Sequence, residues 1–248
     1  MKLRPQLRCA AALVVLFGWV IPAVAQYPYP GRPAPRPTRV AILQYMSGEV
    51  SWAQCDTDNW AAAAINQRFT PNTCVWADKN SRAELGTGSA YLRMNSETSI
   101  TVATLNPSTV QFKVQQGAIS LTVPRLRPGE IYEIDTPNAT LTVTKSGVYR
   151  VDVFPKEDQT WVTVRKGALA ATGTGKAVTI NSGQQVRFHT ENSLQHTAEK
   201  APAPDGFDDW AKVRNDRLGA FKSPPFGVVV GYGPYGAVPP PAPYPPPY

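Results

Sequence analysis

The chain has 248 residues and a formal net charge of +7, and three of its basic residues fall in the first 25 positions. It contains no run of lysine and arginine of the kind that binds nucleic acid, so we exclude nucleic acid as a partner. Strand patterns extend over about 150 residues, and a chain of that size can bury a hydrophobic core.

Residues 1–25 have the features of an export signal. A positively charged start precedes an apolar run at Ala10–Ile21, and a small-x-small cleavage site ends at Ala25. The apolar run is shorter than the ~20 residues of a membrane-spanning helix. We therefore predict cleavage between Ala25 and Gln26, no stable transmembrane segment after processing, and a periplasmic or secreted protein. An uncleaved membrane anchor is the alternative.

Cleavage would leave two cysteines, Cys55 and Cys74. An even number of cysteines in an exported chain predicts a disulfide. Closing the loop between them stabilises the fold by roughly 3 kcal/mol in the chain-entropy model. A thiol or metal pair is the alternative, but neither histidine is near these cysteines in the sequence.

Segments rich in proline and tyrosine flank the strand region. Residues 26–38 read Q-Y-P-Y-P-G-R-P-A-P-R-P-T, and residues 223–248 end in P-P-P-A-P-Y-P-P-P-Y. Proline at this density blocks helices and sheet ladders and favours polyproline II or disorder. We interpret both segments as spacers, with recognition of a partner domain or wall polymer as the alternative.

The stretch Ser81–Val123 alternates apolar and polar side chains, which is typical of half-buried strands. A second alternating stretch covers Ala139–Ala170. Together they predict a core whose members are Leu92, Ile100, Val102, Val110, Phe112, Val114, Leu121, Leu141, Val143, Tyr149, Val151, Val162 and Val164.

A short motif recurs in these stretches. V-Q-Q-G-A-I-S begins at Val114, V-R-K-G-A-L-A begins at Val164, and a fainter copy, M-S-G-E-V-S, begins at Met46. Repeats of this kind favour stacked β layers. We predict an all-β fold of repeated short antiparallel strands, either a short β-solenoid or a twisted sandwich. The 50-residue offset between the two clear copies favours the solenoid.

The remaining elements follow from local signals. The first strands pair through a turn at Ser47-Gly48, and Trp60–Ile65 forms a further strand. A helix from about Pro204 to Leu218, capped by Asp205, packs on the β domain. The predicted organisation is a signal peptide at 1–25, a linker at 26–38, a β domain at 39–200, a helix segment at 201–222 and a disordered tail at 223–248.

Catalytic and metal-binding motifs are absent from the sequence. His189 and His196 are surface residues or, as the alternative, metal ligands. The runs G-T-G-S at 86–89 and G-T-G-K at 173–176 favour hairpin turns over phosphate-binding loops, because no helix follows either. We predict neither a metal nor a cofactor. The basic loop 124–129 is a solvated connection or touches an anionic partner.

One carboxylate pair needs a separate hypothesis. Glu133 and Asp135 lie two residues apart on one strand face, at a separation of about 7 Å. A glycosidase pair can have that spacing. Acids that share a strand face are more often a solvated sheet edge, and that is our interpretation.

Several motifs together resemble the FecR-type periplasmic domain. They are G-E-V-S-W from Gly48, W-A-D-K-N-S-R-A-E-L-G-T-G-S-A-Y-L-R-M from Trp76, P-G-E-I-Y-E-I-D-T-P-N-A from Pro128, T-V-R-K-G-A from Thr163 and G-Q-Q-V-R-F from Gly183. The resemblance covers about Val40 to Arg217. It implies an all-β periplasmic binding or sensing module without catalytic residues. The regulators that name the family add a cytoplasmic anti-sigma segment and a transmembrane helix, and this sequence shows neither.

The resulting hypothesis is an exported, non-enzymatic FecR-domain module of the cell envelope. Its partner would be an envelope protein or a cell-wall polymer. Two alternatives remain: an envelope polysaccharide hydrolase that uses Glu133 and Asp135, and a signalling accessory that works with a separate membrane partner.

Overall fold

The computed structural model describes residues 39–173, 177–189 and 198–221. The predictions for the export signal, both proline-rich segments, His196 and most of the second G-T-G loop lie outside these residues. The strands are β1 (Ala41–Ser47), β2 (Val50–Gln54), β3 (Ala61–Ala62), β4 (Arg68–Phe69), β5 (Thr73–Ala77), β6 (Arg82–Gly86), β7 (Tyr91–Met94), β8 (Thr98–Leu105), β9 (Thr109–Val123), β10 (Ile131–Asp135), β11 (Thr140–Val143), β12 (Gly147–Phe154), β13 (Gln159–Lys166), β14 (Ala168–Thr172), β15 (Val178–Asn181), β16 (Gln184–His189) and β17 (Glu199–Lys200); the helix is α1 (Gly206–Arg217). The all-β prediction with one C-terminal helix is confirmed.

The strands form two sheets that share β9. The first sheet has the order β4-β1-β6-β7-β9-β12-β13-β16-β17. The second has the order β3-β2-β5-β8-β9-β10-β11-β14-β15. Strand β9 pairs in the second sheet up to Gln116 and in the first sheet from Gly117 onward. Its length therefore joins the two sheets into one unit.

One strand pair departs from the antiparallel prediction. β10 runs parallel to β9, with Ile131 beside Thr109 and Asp135 beside Lys113. Residues 124–130 cause this difference, because they carry the chain from the end of β9 in the first sheet back to the level of its start in the second. A parallel neighbour needs such a crossover, whereas an antiparallel one needs only a short turn.

The repeated motif marks corners between the sheets. Gly48, Gly117 and Gly167 each lie where the chain leaves one sheet and enters the other. At Gly117 φ is +87°, and a Cβ there would lie 2.4 Å from Thr98 Oγ1 and 2.6 Å from the carbonyl oxygen of Glu97. Only glycine fits this corner, because both the backbone angle and the space exclude a side chain.

The corners do not stack in the way that the 50-residue offset suggested. Gly117 pairs with Val153 at one end of β12, whereas Gly167 lies against Gly147 at the other end. The two clear copies therefore turn at opposite ends of the domain and cross between the sheets in opposite directions. Of the two predicted architectures, the structure agrees with the twisted sandwich. The repeated motif therefore marks the corners between the sheets and does not indicate how layers are spaced.

The corner at Gly48 explains why the predicted pairing of the first two strands is wrong. β1 pairs with β4 and β6, whereas β2 pairs with β3 and β5 in the other sheet. The turn at Ser47-Gly48 is where the chain changes sheets, so the strands on its two sides are not hydrogen-bonded to each other. The strand predicted at Trp60–Ile65 is reduced to Ala61–Ala62.

The apolar inner faces of the two sheets share one core. All thirteen residues predicted for the core are buried. They come from both sheets, with Ile100 in β8 of the second and Leu121 in the β9 half that belongs to the first. Burying each such side chain contributes about 1.5–3 kcal/mol, so the alternating pattern accounts for most of what holds the sheets together.

Helix α1 begins with a capping box and lies on the outer face of the first sheet. The Asp205 carboxylate accepts hydrogen bonds from the backbone N–H groups of Phe207 and Asp208, at 2.9 and 3.0 Å, and the Asp208 carboxylate accepts one from the Asp205 N–H at 3.3 Å. Phe207 and Ala211 are buried. In the part of the chain that the structure describes, no helix covers the outer face of the second sheet.

Candidate functional site

A row of polar side chains crosses the outer face of the first sheet beneath α1. Glu84 pairs across strands with Arg93, Arg93 with Ser120, and Ser120 with Arg150. Glu84 and Arg93 are completely buried, and the Arg93 Nε donates to Glu84 Oε2 at 2.7 Å. Strand β7 is thus buried on both faces, one by the core and one by the helix.

The helix completes this buried ion pair. Arg214 of α1 donates to Glu84 Oε1 at 2.6 Å, so one carboxylate serves two guanidinium groups. Arg93 also donates to Thr122 Oγ1 at 2.9 Å. Burial lowers the pKa of Arg93, and the neighbouring Glu84 carboxylate opposes that effect. Glu84 therefore fixes the C-terminal half of α1 over the sheet.

A second ion cluster holds the N-terminal half of α1. Arg150 contacts Asp152 beside it on β12 at 2.9 Å and Asp205 at 2.7 Å, and Arg165 contacts Asp208 at 2.6 Å. Burial raises the pKa of Asp152, and its hydrogen bond with Arg150 works in the opposite direction. The two clusters hold α1 against this face. A cavity of about 230 Å³ remains beside the helix, where Val148 and Arg165 of the sheet face Ala211 and Asn215 of α1.

The disulfide organises the other side of the molecule. Cys55 and Cys74 are bonded to each other. Thr73, Val75 and Ala77 of β5 point into the core, so Cys74 and Trp76 lie on the outer face of the second sheet. The loop that begins at Cys55 and ends at Trp60 is therefore attached to the strand that carries Trp76.

Trp60 and Trp76 border two adjoining cavities of about 370 and 410 Å³ that share Ser51. Trp60 is 50% exposed, and Trp76 is partly exposed. We call this surface, formed by Ser51, Trp60, Trp76 and the two cavities between them, the Trp groove. Its further lining residues are Ser99, Gln115, Gln116 and Pro155 in one cavity and Met46, Gly48, Glu49, Val50, Ala61, Ala62, Ala63 and Asp78 in the other.

The Trp groove combines aromatic ring faces with unused hydrogen-bond donors. Within the described residues, the indole N–H groups of Trp60 and Trp76 donate to no protein acceptor, and neither does the Ser51 hydroxyl. The amide of Gln115 is engaged, because it donates to Thr101 Oγ1 at 2.7 Å. An exposed aromatic surface with a few polar groups is the usual form of a binding site. The strand predicted at Trp60–Ile65 gave no indication of this surface, because it placed Trp60 within a strand rather than at the end of the disulfide loop.

Glu133 and Asp135 do share the outer face of the second sheet, but they do not lie on an edge strand. β10 lies between β9 and β11, so the expected edge position is wrong. The Gln111 amide donates to both carboxylates, at 2.7 and 2.9 Å. Burial, and then the charge of Asp135, raises the pKa of Glu133. The two acids face one amide rather than a substrate-sized space.

The other predicted candidates lie apart from the Trp groove. His189 ends β16 opposite Gln159, and the described residues contain no group of three or more side chains that could hold a metal ion. The G-T-G-S run forms the β6–β7 hairpin, in which the Thr87 N–H donates to the Ala90 carbonyl at 2.9 Å. Across the described ranges, no helix is both long and apolar enough to cross a membrane.

Comparison with known proteins bears on this architecture. Residues 72–170 match the family model described as FecR protein, which confirms the resemblance over that stretch. Two crystal structures from Parabacteroides distasonis ATCC 8503, each provisionally described as an anti-sigma factor, align with TM-scores of 0.47 and 0.46 at 15% and 14% identity. Each alignment covers 52% of this chain and 60% of the other, so this chain spans less than two thirds of their length. No curated protein matches.

Proposed function

We propose that this chain, whose residues 72–170 match the FecR family, is a non-enzymatic binding or sensing module of the bacterial cell envelope. The module comprises the β domain at 39–200 and the helix segment at 201–222. The observation that carries the proposal is the contrast between its two outer faces. Helix α1 covers the ion pairs of the first and leaves a cavity of about 230 Å³ at its side, whereas the second presents the larger, aromatic Trp groove. We propose the Trp groove as the binding surface.

Two features support an envelope location. Residues 1–25 read as an export signal, and the Cys55–Cys74 disulfide suits an oxidising compartment. The partner is an envelope protein or a cell-wall polymer. The match to the FecR family favours a regulatory protein among these, and a signalling role would need a separate membrane partner.

A crosslinking capture experiment tests the proposal. The protein from Gln26 to Tyr248 is immobilised and exposed to envelope extract beside a Trp60→Ala/Trp76→Ala variant. A matched control is Ile131→Ala, which removes another exposed apolar side chain from the second sheet. We expect a specific partner to be captured by the natural protein and the control and to be lost with the double variant.

Two results would count against the proposal. If no protein or polymer is captured above background, the module does not bind in the envelope. If capture is equal for all three proteins, the binding surface lies elsewhere.

A further inference from the structure

We propose that the Trp groove is the docking site for the chain's own proline-rich end, residues 239–248. The inference rests on the proposed function, since it names an occupant for the same surface. This segment reads P-P-P-A-P-Y-P-P-P-Y, in which seven of ten residues are proline.

The first argument is hydrogen-bond complementarity. Proline has no backbone N–H, and a polyproline II segment makes no internal hydrogen bonds, so its carbonyl groups are all available as acceptors. The indole N–H of a tryptophan is a donor only. Within the described residues, the indoles of Trp60 and Trp76 and the Ser51 hydroxyl are not used by the protein. An acceptor-rich segment therefore fits this surface.

The second argument is shape. Grooves lined by aromatic side chains recognise proline-rich segments, because pyrrolidine rings pack on the ring faces and the segment loses little conformational entropy on binding. Trp60 is 50% exposed, and the two cavities beside it have volumes of about 370 and 410 Å³. The cavities adjoin through Trp60, Trp76 and Ser51, so the aromatic surface is extended rather than a single hole.

The third argument is the polar rim. Glu49 and Asp78 line one of the cavities, and both residues are exposed. A polyproline stretch has no donors of its own, but Tyr244 and Tyr248 each carry a hydroxyl group that can donate to a carboxylate. The alternation of proline with tyrosine thus matches a groove of aromatic faces with acidic groups at its side.

The chain is long enough to reach the groove. The last described residue, Phe221, packs its ring against Lys166 Nζ at 4.1 Å. Lys166 pairs with Val148 near the start of β12, and Pro155 of the groove follows the other end of that strand. The distance along β12 is about 23 Å at a strand rise of about 3.3 Å per residue. Residues 222–238 can span up to about 50 Å.

The test uses the full chain from Gln26 to Tyr248 and follows its indole N–H resonances by NMR, assigned by Trp60→Phe and Trp76→Phe variants. A variant with all seven prolines of 239–248 changed to serine removes the proposed occupant. We expect the Trp60 and Trp76 resonances to move in this variant and those of buried or distant tryptophans to stay. A synthetic peptide of residues 237–248 should then restore the original positions, and Trp60→Ala should weaken its binding about tenfold.

Each other outcome overturns the inference in a recognisable way. If the serine variant leaves both resonances unchanged and the peptide adds no shift, the tail does not occupy the groove. If the shifts depend on protein concentration, the occupant is the tail of a second copy. If a soluble cell-wall oligosaccharide moves the resonances and the peptide does not, the groove is a sugar site. Loss of envelope capture by the Trp variants would still support the proposed function in these cases, so the two failures are distinguishable.

Discussion

The two outer faces of this sandwich differ in what covers them: α1 packs on the first sheet, and no helix of the described residues packs on the second. On the first sheet, Glu84 and Arg93 are completely buried and the Arg150 side chain is only 14% exposed, because α1 covers them. On the second sheet, hydroxyl, amide and carboxylate groups remain at the surface around Trp60 and Trp76. The face that carries the strongest charges is thus the one that α1 covers, and the milder polar face is the one that we propose for binding.

This contrast shows what each kind of polar group does. A buried ion pair loses its hydration, and its attraction roughly repays that cost only when the geometry is good. The Glu84 network therefore specifies where α1 lies more than it adds stability. Amides and hydroxyls at a surface lose little by meeting a ligand, and a pair of exposed indoles gains from being covered. A binding surface is better built from the second set.

The largest predicted effect comes from breaking the covered face. Glu84→Ala leaves Arg93 buried without its carboxylate and removes the partner of Arg214. We expect the free energy of unfolding to fall by about 3–5 kcal/mol, since an uncompensated buried charge carries that penalty. Urea denaturation followed by far-UV circular dichroism measures it.

An ion pair on the solvent side of α1 provides the control. Lys212 and Asp216 lie 3.1 Å apart, but their side chains are 76% and 69% exposed. Lys212→Ala should change the free energy of unfolding by less than about 0.5 kcal/mol. Equal losses for Glu84→Ala and Lys212→Ala would mean that α1 does not rest on the buried network.

The second prediction concerns the open face. Reducing the Cys55–Cys74 disulfide should lower the free energy of unfolding by about 3 kcal/mol, because the unfolded chain regains the entropy of an open loop. It should also loosen the position of Trp60 relative to Trp76. Urea denaturation with and without reductant measures the first effect, and the indole resonance of Trp60 measures the second.

A Cys55→Ser/Cys74→Ser variant is the matched control, since reductant should not affect it. If that variant were as stable as the oxidised natural protein, the disulfide would not contribute to stability. An unchanged Trp60 resonance would mean that the disulfide does not determine the geometry of the Trp groove.

Local patterns in the sequence were enough to predict the core. Val110, Phe112 and Val114 alternate with polar residues, and period-two alternation reports burial on one face directly. The turn at Ser47-Gly48 was predicted for a different reason, because glycine is a turn residue. The pattern does not indicate to which sheet the strands before and after a corner belong, because that depends on pairing with strands far away in the chain.

Which side chains are buried on the two outer faces also depends on contacts between residues far apart in the chain. Arg93 lies on the polar side of an alternating strand, which predicts exposure. Its burial arises from α1, whose Arg214 follows Glu84 by 130 residues. Trp60 follows a polar turn, and Trp60–Ile65 was predicted to form a strand although its four alanines alone favour a helix. Its exposure is set by the disulfide loop, so the placement of the Trp groove could not be predicted from local periodicity.

The third prediction uses the pH dependence of the covered face. Partial burial alone would raise the pKa of Asp205, but hydrogen bonds from Arg150 and from the N–H groups of Asp208 and Phe207 lower it below its usual value. A lowered pKa contributes stability above the unfolded value of about 3.9, and this contribution is lost as the pH falls through the folded value. We therefore expect the docking of α1 to weaken below about pH 4.

Asp205→Asn tests this, because asparagine keeps the helix cap and removes only the charge. Asp205 is 52% exposed, so solvent screens the pair and the loss at neutral pH should stay below about 1 kcal/mol. Urea denaturation at several pH values should show a flatter acid limb for the variant. Parallel curves would contradict the assignment.

The smallest predicted effect lies on the open face, at Glu133. Burial and Asp135 raise the pKa of Glu133, so its ionised form is disfavoured in the folded state. Stability is then lost as the pH rises from the unfolded value of about 4.3 through the folded one. Glu133→Gln removes this cost and should be as stable as the natural protein or more stable by up to about 0.5 kcal/mol at pH 7, with the difference disappearing near pH 4. Thermal melts at the two pH values measure it.

The same variant decides the hydrolase alternative. If the natural protein cleaves wall polysaccharide and Glu133→Gln does not, the open face is a catalytic surface and its contrast with the covered face needs a different explanation.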